Sequence, residues 1–165
     1  MKVTLVAFLF AASAFAQIPS AGHTTACGPD KVTFNVTVVE NRYTPTQPEQ
    51  GKALIYFIRD DGMWDVNQHL TLKIGLDGAW VGAFKGDSYF SVSVEPGEHH
   101  VCASVHSNFF AHFTAEPGKI YYFRTRFLMG ISGAVLSYVD LDQPDSDEAQ
   151  YLLSSYPLSV STPKK

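Results

Sequence analysis

Charge is scarce in this chain, and positive charge scarcest. Of 165 residues 17% are charged, with 12 Lys and Arg against 16 Asp and Glu, and no basic run exceeds the terminal Lys164-Lys165. Such a surface has no electrostatic footprint for nucleic acid or anionic lipid, so those partners are excluded. Long apolar stretches are also missing. The only sustained one, residues 3–12, falls far short of the roughly 20 residues that span a bilayer. The sequence holds no Gly-x-Ser-x-Gly elbow, no phosphate loop, no dinucleotide glycine fingerprint and no His-Glu-x-x-His. Nothing in it therefore calls for a cofactor or a particular reaction, and its glycines fall where turns need them.

The apolar run has a different use. Met1 and Lys2 precede it and Ala14-Phe15-Ala16 follows it, the charged start, apolar middle and small-x-small end of a secretory signal peptide. Residues 1–16 are expected to be removed, so that the exported chain begins at Gln17. Loss of Lys2 leaves 149 residues with 11 Lys and Arg against 16 Asp and Glu, a net charge near −5, and no transmembrane segment. The expected location is extracytoplasmic, periplasmic or secreted. A lipid anchor on Cys27 is disfavoured, because the polar residues 17–26 separate it from the apolar run.

Cysteine is nearly absent too. The two present, Cys27 and Cys102, are most simply read as one disulfide in an oxidising compartment. By the chain-entropy argument, closing a loop of this length stabilises by about 4 kcal/mol.

What is abundant is hydrophobic residues at 45% and aromatics at 13%, arranged with period 2. Val32, Phe34, Val36 and Val38 share one face of a first strand, and residues 52–59 form a second, more uniformly apolar one. Leu70, Leu72, Ile74 and Leu76 alternate up to Asp77-Gly78, the pair suited to a tight hairpin, and residues 80–84 run back. A turn at Lys85-Gly86-Asp87 leads to residues 89–94. Pro96-Gly97 and Pro117-Gly118 mark two further turns, before 99–105 and before the aromatic strand 120–126, with 109–114 between them. A last strand is expected over 134–141. One helix is signalled, with Asp145 as N-cap, Glu148 as its reciprocal partner and an apolar stripe of Tyr151, Leu152 and Tyr156 ending near Pro157. Together these describe an all-β fold, an antiparallel β-sandwich or small barrel, with one short C-terminal helix; the sandwich is the expectation carried forward. It occupies residues 27–158, with a flexible segment at 17–26 and a flexible tail at 159–165.

Several clusters have the residue types of a site. His100, Cys102 and His106 share one strand face, with His99 and His112 nearby, and imidazole with thiolate suits zinc or copper. Along an extended strand, however, His100 and His106 lie about 20 Å apart, too far for one ion, and a disulfide would consume the Cys102 thiolate. Asp60, Asp61, Asp65 and Asn67 surround Trp64 in the segment 59–69, with oxygens that calcium would want but in no EF-hand order. Trp64, Asp61 and Asp65 are singled out as candidate ligand-binding residues on a recognition loop. The acids Asp140, Asp142, Asp145, Asp147 and Glu148 answer better to capping and the helix dipole than to hydrolysis. Phe109, Phe110 and Phe113 with the rings of 120–126 have the flat surfaces that stacked sugars need, but alternation sends half of them into the core.

These elements also resemble a known group. Cys27-Gly28-Pro29-Asp30, Gly51-Lys52-Ala53, Leu76-Asp77-Gly78 with Trp80-Val81-Gly82-Ala83, Ser88-Tyr89, the run from Glu95-Pro96-Gly97-Glu98-His99-His100 to Cys102-Ala103-Ser104, Glu116-Pro117-Gly118 with Tyr121-Tyr122-Phe123-Arg124, and the segment 145–151 are similar to the domain of unknown function 2846 of exported bacterial proteins. The resemblance implies a compact β-sandwich of the prealbumin or carboxypeptidase-regulatory sort and brings no activity, ligand or catalytic residue. Many such proteins are lipoproteins; this chain departs from them in lacking a lipobox. The function expected is a non-catalytic binding or cell-envelope structural module with an envelope protein or glycan as partner. The alternative is a metal-binding protein or hydrolase built on His99, His100, His106 and His112.

Overall fold

A computed structural model describes residues 26–40, 43–62, 69–128 and 138–164. The expected signal peptide and residues 17–25 lie outside them, as do Trp64 and Asp65. The elements are β1 (Phe34–Val39), β2 (Ala53–Arg59), β3 (Thr71–Leu76), β4 (Ala79–Lys85), β5 (Ser88–Val94), β6 (Gly97–Ser104), β7 (Asn108–Ala115), β8 (Ile120–Leu128), β9 (Tyr138–Asp142), α1 (Ser146–Ser155) and β10 (Leu158–Pro163). They form a six-stranded sheet, β1-β10-β5-β2-β8-β9, facing a four-stranded one, β4-β3-β6-β7.

The mostly β architecture with one helix agrees with the period-2 pattern. The six-stranded sheet, however, is mixed rather than antiparallel. β2 pairs in parallel with β8, Arg59 opposite Thr125, and β10 touches β5 in parallel at Leu158 and Tyr89. Parallel neighbours need a long crossover, and here the four-stranded sheet, together with β5, supplies it between β2 and β8. Turn chemistry could not reveal this. Asp77-Gly78 closes a true hairpin between β3 and β4, with φ of 49° and 85°. The turns at Gly86-Asp87, Pro96-Gly97 and Pro117-Gly118 instead carry the chain from one sheet to the other.

Every residue of β2 is buried, because both faces of the strand are covered. Ala53, Ile55 and Phe57 point between the sheets with Leu72, Ile74, Phe84, Phe90, Val101 and Phe123. Leu54, Tyr56 and Ile58 point outward, under Ala149, Leu152 and Leu153 of α1. The helix is thus a third layer. Asp145 caps it, accepting hydrogen bonds from the backbone N–H groups of Asp147 and Glu148. Two details differ from the sequence reading. Tyr151 is 70% exposed, its place on the buried stripe taken by Ala149 and Leu153, and the Glu148 carboxylate accepts from Arg124 rather than reaching back to the cap.

The ends of the chain differ as well. Residues read as a flexible tail, 159–165, carry most of β10, which pairs antiparallel with β1 from Val39↔Leu158 to Phe34↔Pro163. Alternating small polar residues concealed it: Ser159 and Ser161 turn inward to bond the β4 backbone at Ala83. At the other end Cys27 and Cys102 are joined in the expected disulfide, Cα atoms 5.2 Å apart. Gly75 makes room for it. It sits opposite Cys102 at a register shift in β3, and a Cβ there would lie 2.7 Å from the Ala26 carbonyl oxygen and 3.0 Å from Cys27 Cα.

Candidate functional site

Because β2 and β8 run in parallel, the chain leaves both at the same end of the sheet, towards residues 63–68 from one strand and 129–137 from the other. Charged side chains collect at that end. Alternation divides them: Arg59 and Asp61 point between the sheets, whereas Asp60, Arg124 and Arg126 lie on the outer, helix-covered face.

Arg59 is fully buried. Its Nε donates to Asp61 Oδ2 at 2.6 Å, one terminal nitrogen donates to the Leu70 carbonyl at 2.8 Å, and its guanidinium lies 4.9 Å from the Phe127 ring centroid. Asp61 Oδ1 accepts from the Phe127 N–H at 2.8 Å, while the Asp61 N–H donates to Asp87 Oδ1. Burying an ion pair is favourable only when further hydrogen bonds satisfy both partners, and these do so by tying the departing end of β2, the start of β3 and the end of β8 to one another. The sequence candidate Asp61 is therefore a buried framework residue, its side chain 2% exposed.

On the outer face Arg124 donates Nε and Nη2 to the two oxygens of Asp142 at 3.0 and 2.6 Å, a bidentate pair, and Nη1 to Glu148 of α1. Arg126 joins Asp140 and Asp142, and the Tyr156 hydroxyl donates to Asp60 Oδ1 at 2.6 Å. Burial opposes the charged form of Asp142, but its hydrogen bonds and charge interaction with Arg124 hold the carboxyl below its ordinary range. Asp142 chiefly raises the Arg124 guanidinium in return. Burial first and then Asp60 raise the Tyr156 phenol. The acidic stretch 140–148 is thus divided between pairing with arginines and capping α1, and Asp60 and Asp142 hold β2, β8, β9 and α1 together.

The histidines do not converge. His100 and His112 are direct cross-strand partners on β6 and β7, ring centroids 6.4 Å apart, and Glu98 lies 3.9 Å from His100. His99 points elsewhere, to Asp77, and His106 lies beyond the end of β6. Among the described residues no group of three or more His, Cys, Asp or Glu is placed to hold a metal ion. Of the aromatic residues considered for sugar stacking, Phe113 and Phe123 fill the core between the sheets, and Tyr122 stacks on Tyr56 on the outer face, 5.8 Å between centroids.

The span from the turn before β2 to the residues after β8 is also where the chain is similar to other proteins. The family described as Protein of unknown function (DUF2846) matches residues 49–137. The chain belongs to this family. The matched span contains Arg59, Asp61, Asp87 and Arg124 but not Asp142, Glu148 or Tyr156. β1, β9, α1 and β10, which complete the six-stranded sheet and its outer layer, lie beyond the part matched to the DUF2846 family. No curated protein and no solved structure matches the chain. Among the described residues no helix is long and apolar enough to cross a membrane, and the disulfide is compatible with an oxidising, extracytoplasmic compartment.

Proposed function

We propose that this DUF2846 protein is an exported, non-catalytic β-sandwich module of the prealbumin-like sort that binds an envelope protein or glycan through its loop-bearing end. The observation that carries the reading is the parallel register of β2 and β8, which brings the bases of residues 63–68 and 129–137 to one end. The Arg59–Asp61 and Arg124–Asp142 pairs clamp those bases. A rigid frame is the usual support for recognition, and in the sequence that follows β2 Trp64, with Asp65 next to it, is of the type that binding surfaces use as an anchor. The acids and arginines of this end are engaged with one another, which suits a frame better than proton transfer.

The test begins with the exported protein, whose mass should correspond to a chain starting at Gln17. Immobilised and incubated with an extract of its own envelope, it should retain one species in near-equimolar amount and lose it when residues 63–68 are replaced by a Gly-Ser run. Retention unchanged by that replacement overturns the reading. The second reading, a metal-binding protein or hydrolase, draws on the cross-strand pair His100 and His112. Stoichiometric zinc or copper in the purified protein, lost in His100→Ala, would put it first.

A further inference from the structure

The outer face of the six-stranded sheet has an opening that the helix does not cover. Beside α1, the segment preceding β2 crosses the sheet at Tyr43, Thr44 and Thr46, and beneath it Tyr56 of β2 with Tyr89 and Ser91 of β5 and Leu158 of β10 complete a cleft of about 270 Å³. Tyr56 and Ser91 are direct cross-strand partners. Tyr43 meets Tyr56 edge-on at 6.0 Å and Tyr89 edge-on at 6.1 Å. Tyr56 and Tyr89 are 3% and 4% exposed and form the floor, whereas Tyr43 is half-buried and forms a wall.

The composition of this lining is selective. Among the described residues it combines aromatic rings and Leu158 with hydroxyls, and none of those that line it is Asp, Glu, Lys, Arg or His. A charged ligand would lose water there without gaining a counter-charge. A purely apolar ligand would leave the hydroxyls of Thr44 and Ser91, and the acceptor side of Thr46, whose proton goes to the Thr44 carbonyl at 3.3 Å, without exchange for water. A hydroxyl both donates and accepts, so a ring of hydroxyls is matched by a ligand that is itself hydroxylated, and an aromatic wall is matched by a flat, C–H-bearing face. Burial, reinforced by the neighbouring phenols, raises the Tyr43 hydroxyl well above its ordinary value, so it keeps its proton and its donor role across the physiological range.

We propose that the cleft between residues 43–46 and strands β2 and β5 is a binding site for a neutral sugar ring, with Tyr43 as the wall against which the ring lies and Thr46 and Ser91 as hydroxyl partners. This goes beyond the loop-end reading, since it places a second contact on another face of the sandwich. The volume suits one ring or the terminal unit of a glycan, being just below the range of roughly 300–1,000 Å³ that pockets for larger small molecules occupy.

The proposal is tested by following the tyrosine ring resonances of the full exported chain while titrating N-acetylglucosamine, its β1,4-linked dimer, maltose and, as a charged control, glucose 6-phosphate. At least one neutral sugar should give saturable shifts confined to Tyr43, Tyr56 and Tyr89, at a dissociation constant of about 1 mM for a single ring, and glucose 6-phosphate should bind at least 10-fold more weakly. Tyr43→Ala should weaken binding 10-fold or more. If that variant does not fold, the exposed positions Thr46→Val and Ser91→Ala decide the matter, their pairing with the sugar being lost without disturbing the core. Replacing residues 63–68 should leave sugar binding unchanged, which separates this site from the loop end. The absence of saturable shifts with all three neutral sugars, equal or tighter binding of glucose 6-phosphate, or undiminished binding in Thr46→Val/Ser91→Ala overturns it.

Discussion

His99 and Asp77 form a clip between two turns. His99 Nδ1 lies 2.6 Å from Asp77 Oδ2, and His99 Nε2 lies 2.7 Å from the Glu95 carbonyl oxygen. A carboxylate and a carbonyl only accept, so both ring nitrogens must carry hydrogen, which only the imidazolium provides. Asp77 itself occupies the β3–β4 turn and accepts from the His100 N–H at 2.8 Å through its other oxygen. A cation thus links the hairpin of the four-stranded sheet to the turn through which the chain enters that sheet from β5.

This clip makes stability depend on pH. Burial opposes protonation of His99, but the Asp77 and Glu95 hydrogen bonds outweigh it and raise its pKa above the ordinary value. A raised folded-state pKa means that the stabilisation is complete below the unfolded value of about 6.5 and is lost as pH rises through the folded one. Since Asp77 is 43% exposed, the loss should be no more than about 1 kcal/mol. Urea unfolding of the native chain should show a fall in stability between pH 6 and 9, and Asp77→Asn should flatten it. An identical profile in the variant would remove the clip from the account.

The disulfide should carry a larger share. It joins residues 75 apart in sequence, and the chain-entropy relation assigns such a loop about 4 kcal/mol. The double variant Cys27→Ser/Cys102→Ala should therefore unfold about 10 °C lower, at roughly 2–4 °C per kcal/mol for a chain of this size. Nonreducing mass measurement of the native protein should find it two hydrogens lighter than the dithiol form. Two alkylatable thiols in the folded protein would contradict the bridge.

How much of this was legible beforehand depends on how local the signal is. The Asp77-Gly78 hairpin, the Asp145 cap and the doubly buried β2 are written in neighbouring residues, and all three are present. The pairing of strands is not written that way. Pro96-Gly97 looks the same in sequence whether it closes a hairpin or crosses between sheets, so the parallel contact of β2 with β8 was invisible. β10 is hidden in the sequence because Ser159, Val160, Ser161 and Thr162 lack the apolar alternation of a half-buried strand; the inward positions are Ser159 and Ser161, whose hydroxyls bond to Ala83, while Val160 and Thr162 are exposed. The acids near Trp64 and those of 140–148 stand out in the sequence as clusters. That Asp61 belongs to Arg59, and Asp142 to Arg124, follows only from strand pairing. The Tyr43, Tyr56 and Tyr89 cleft brings together three separate segments, and no spacing rule joins them.

Gly75 offers a test of the close approach at the disulfide. Gly75→Ala places a Cβ 2.7 Å from a backbone oxygen and 3.0 Å from a backbone carbon, neither of which can swing aside as a side-chain tip would. The cost should be about 1–3 kcal/mol, as for other overpacked positions. In the Cys27→Ser/Cys102→Ala background the segment at Ala26 is no longer tethered, so the same substitution should cost measurably less. Equal costs in the two backgrounds would show that Gly75 is required for some reason other than the approach of residues 26 and 27.

The Arg59–Asp61 pair offers the sharpest test of the frame at the loop-bearing end. Both side chains are buried, 0% and 2% exposed, so removing the cation alone takes a direct counter-charge from a buried carboxylate. Arg59→Met should lower stability by about 3–5 kcal/mol. Adding Asp61→Asn should return part of that loss, because the amide oxygen still accepts from the Phe127 N–H while the buried charge is gone. Asp61→Leu in the same background should do worse than Asp61→Asn, since it strands the Phe127 N–H, and a buried donor without a partner costs about 1–3 kcal/mol. Chemical unfolding of the single and double variants gives the order directly. If Arg59→Met proves nearly neutral, the ion pair is not what fixes the departing ends of β2 and β8, and their placement must come from the hydrogen-bonded register of the strands alone.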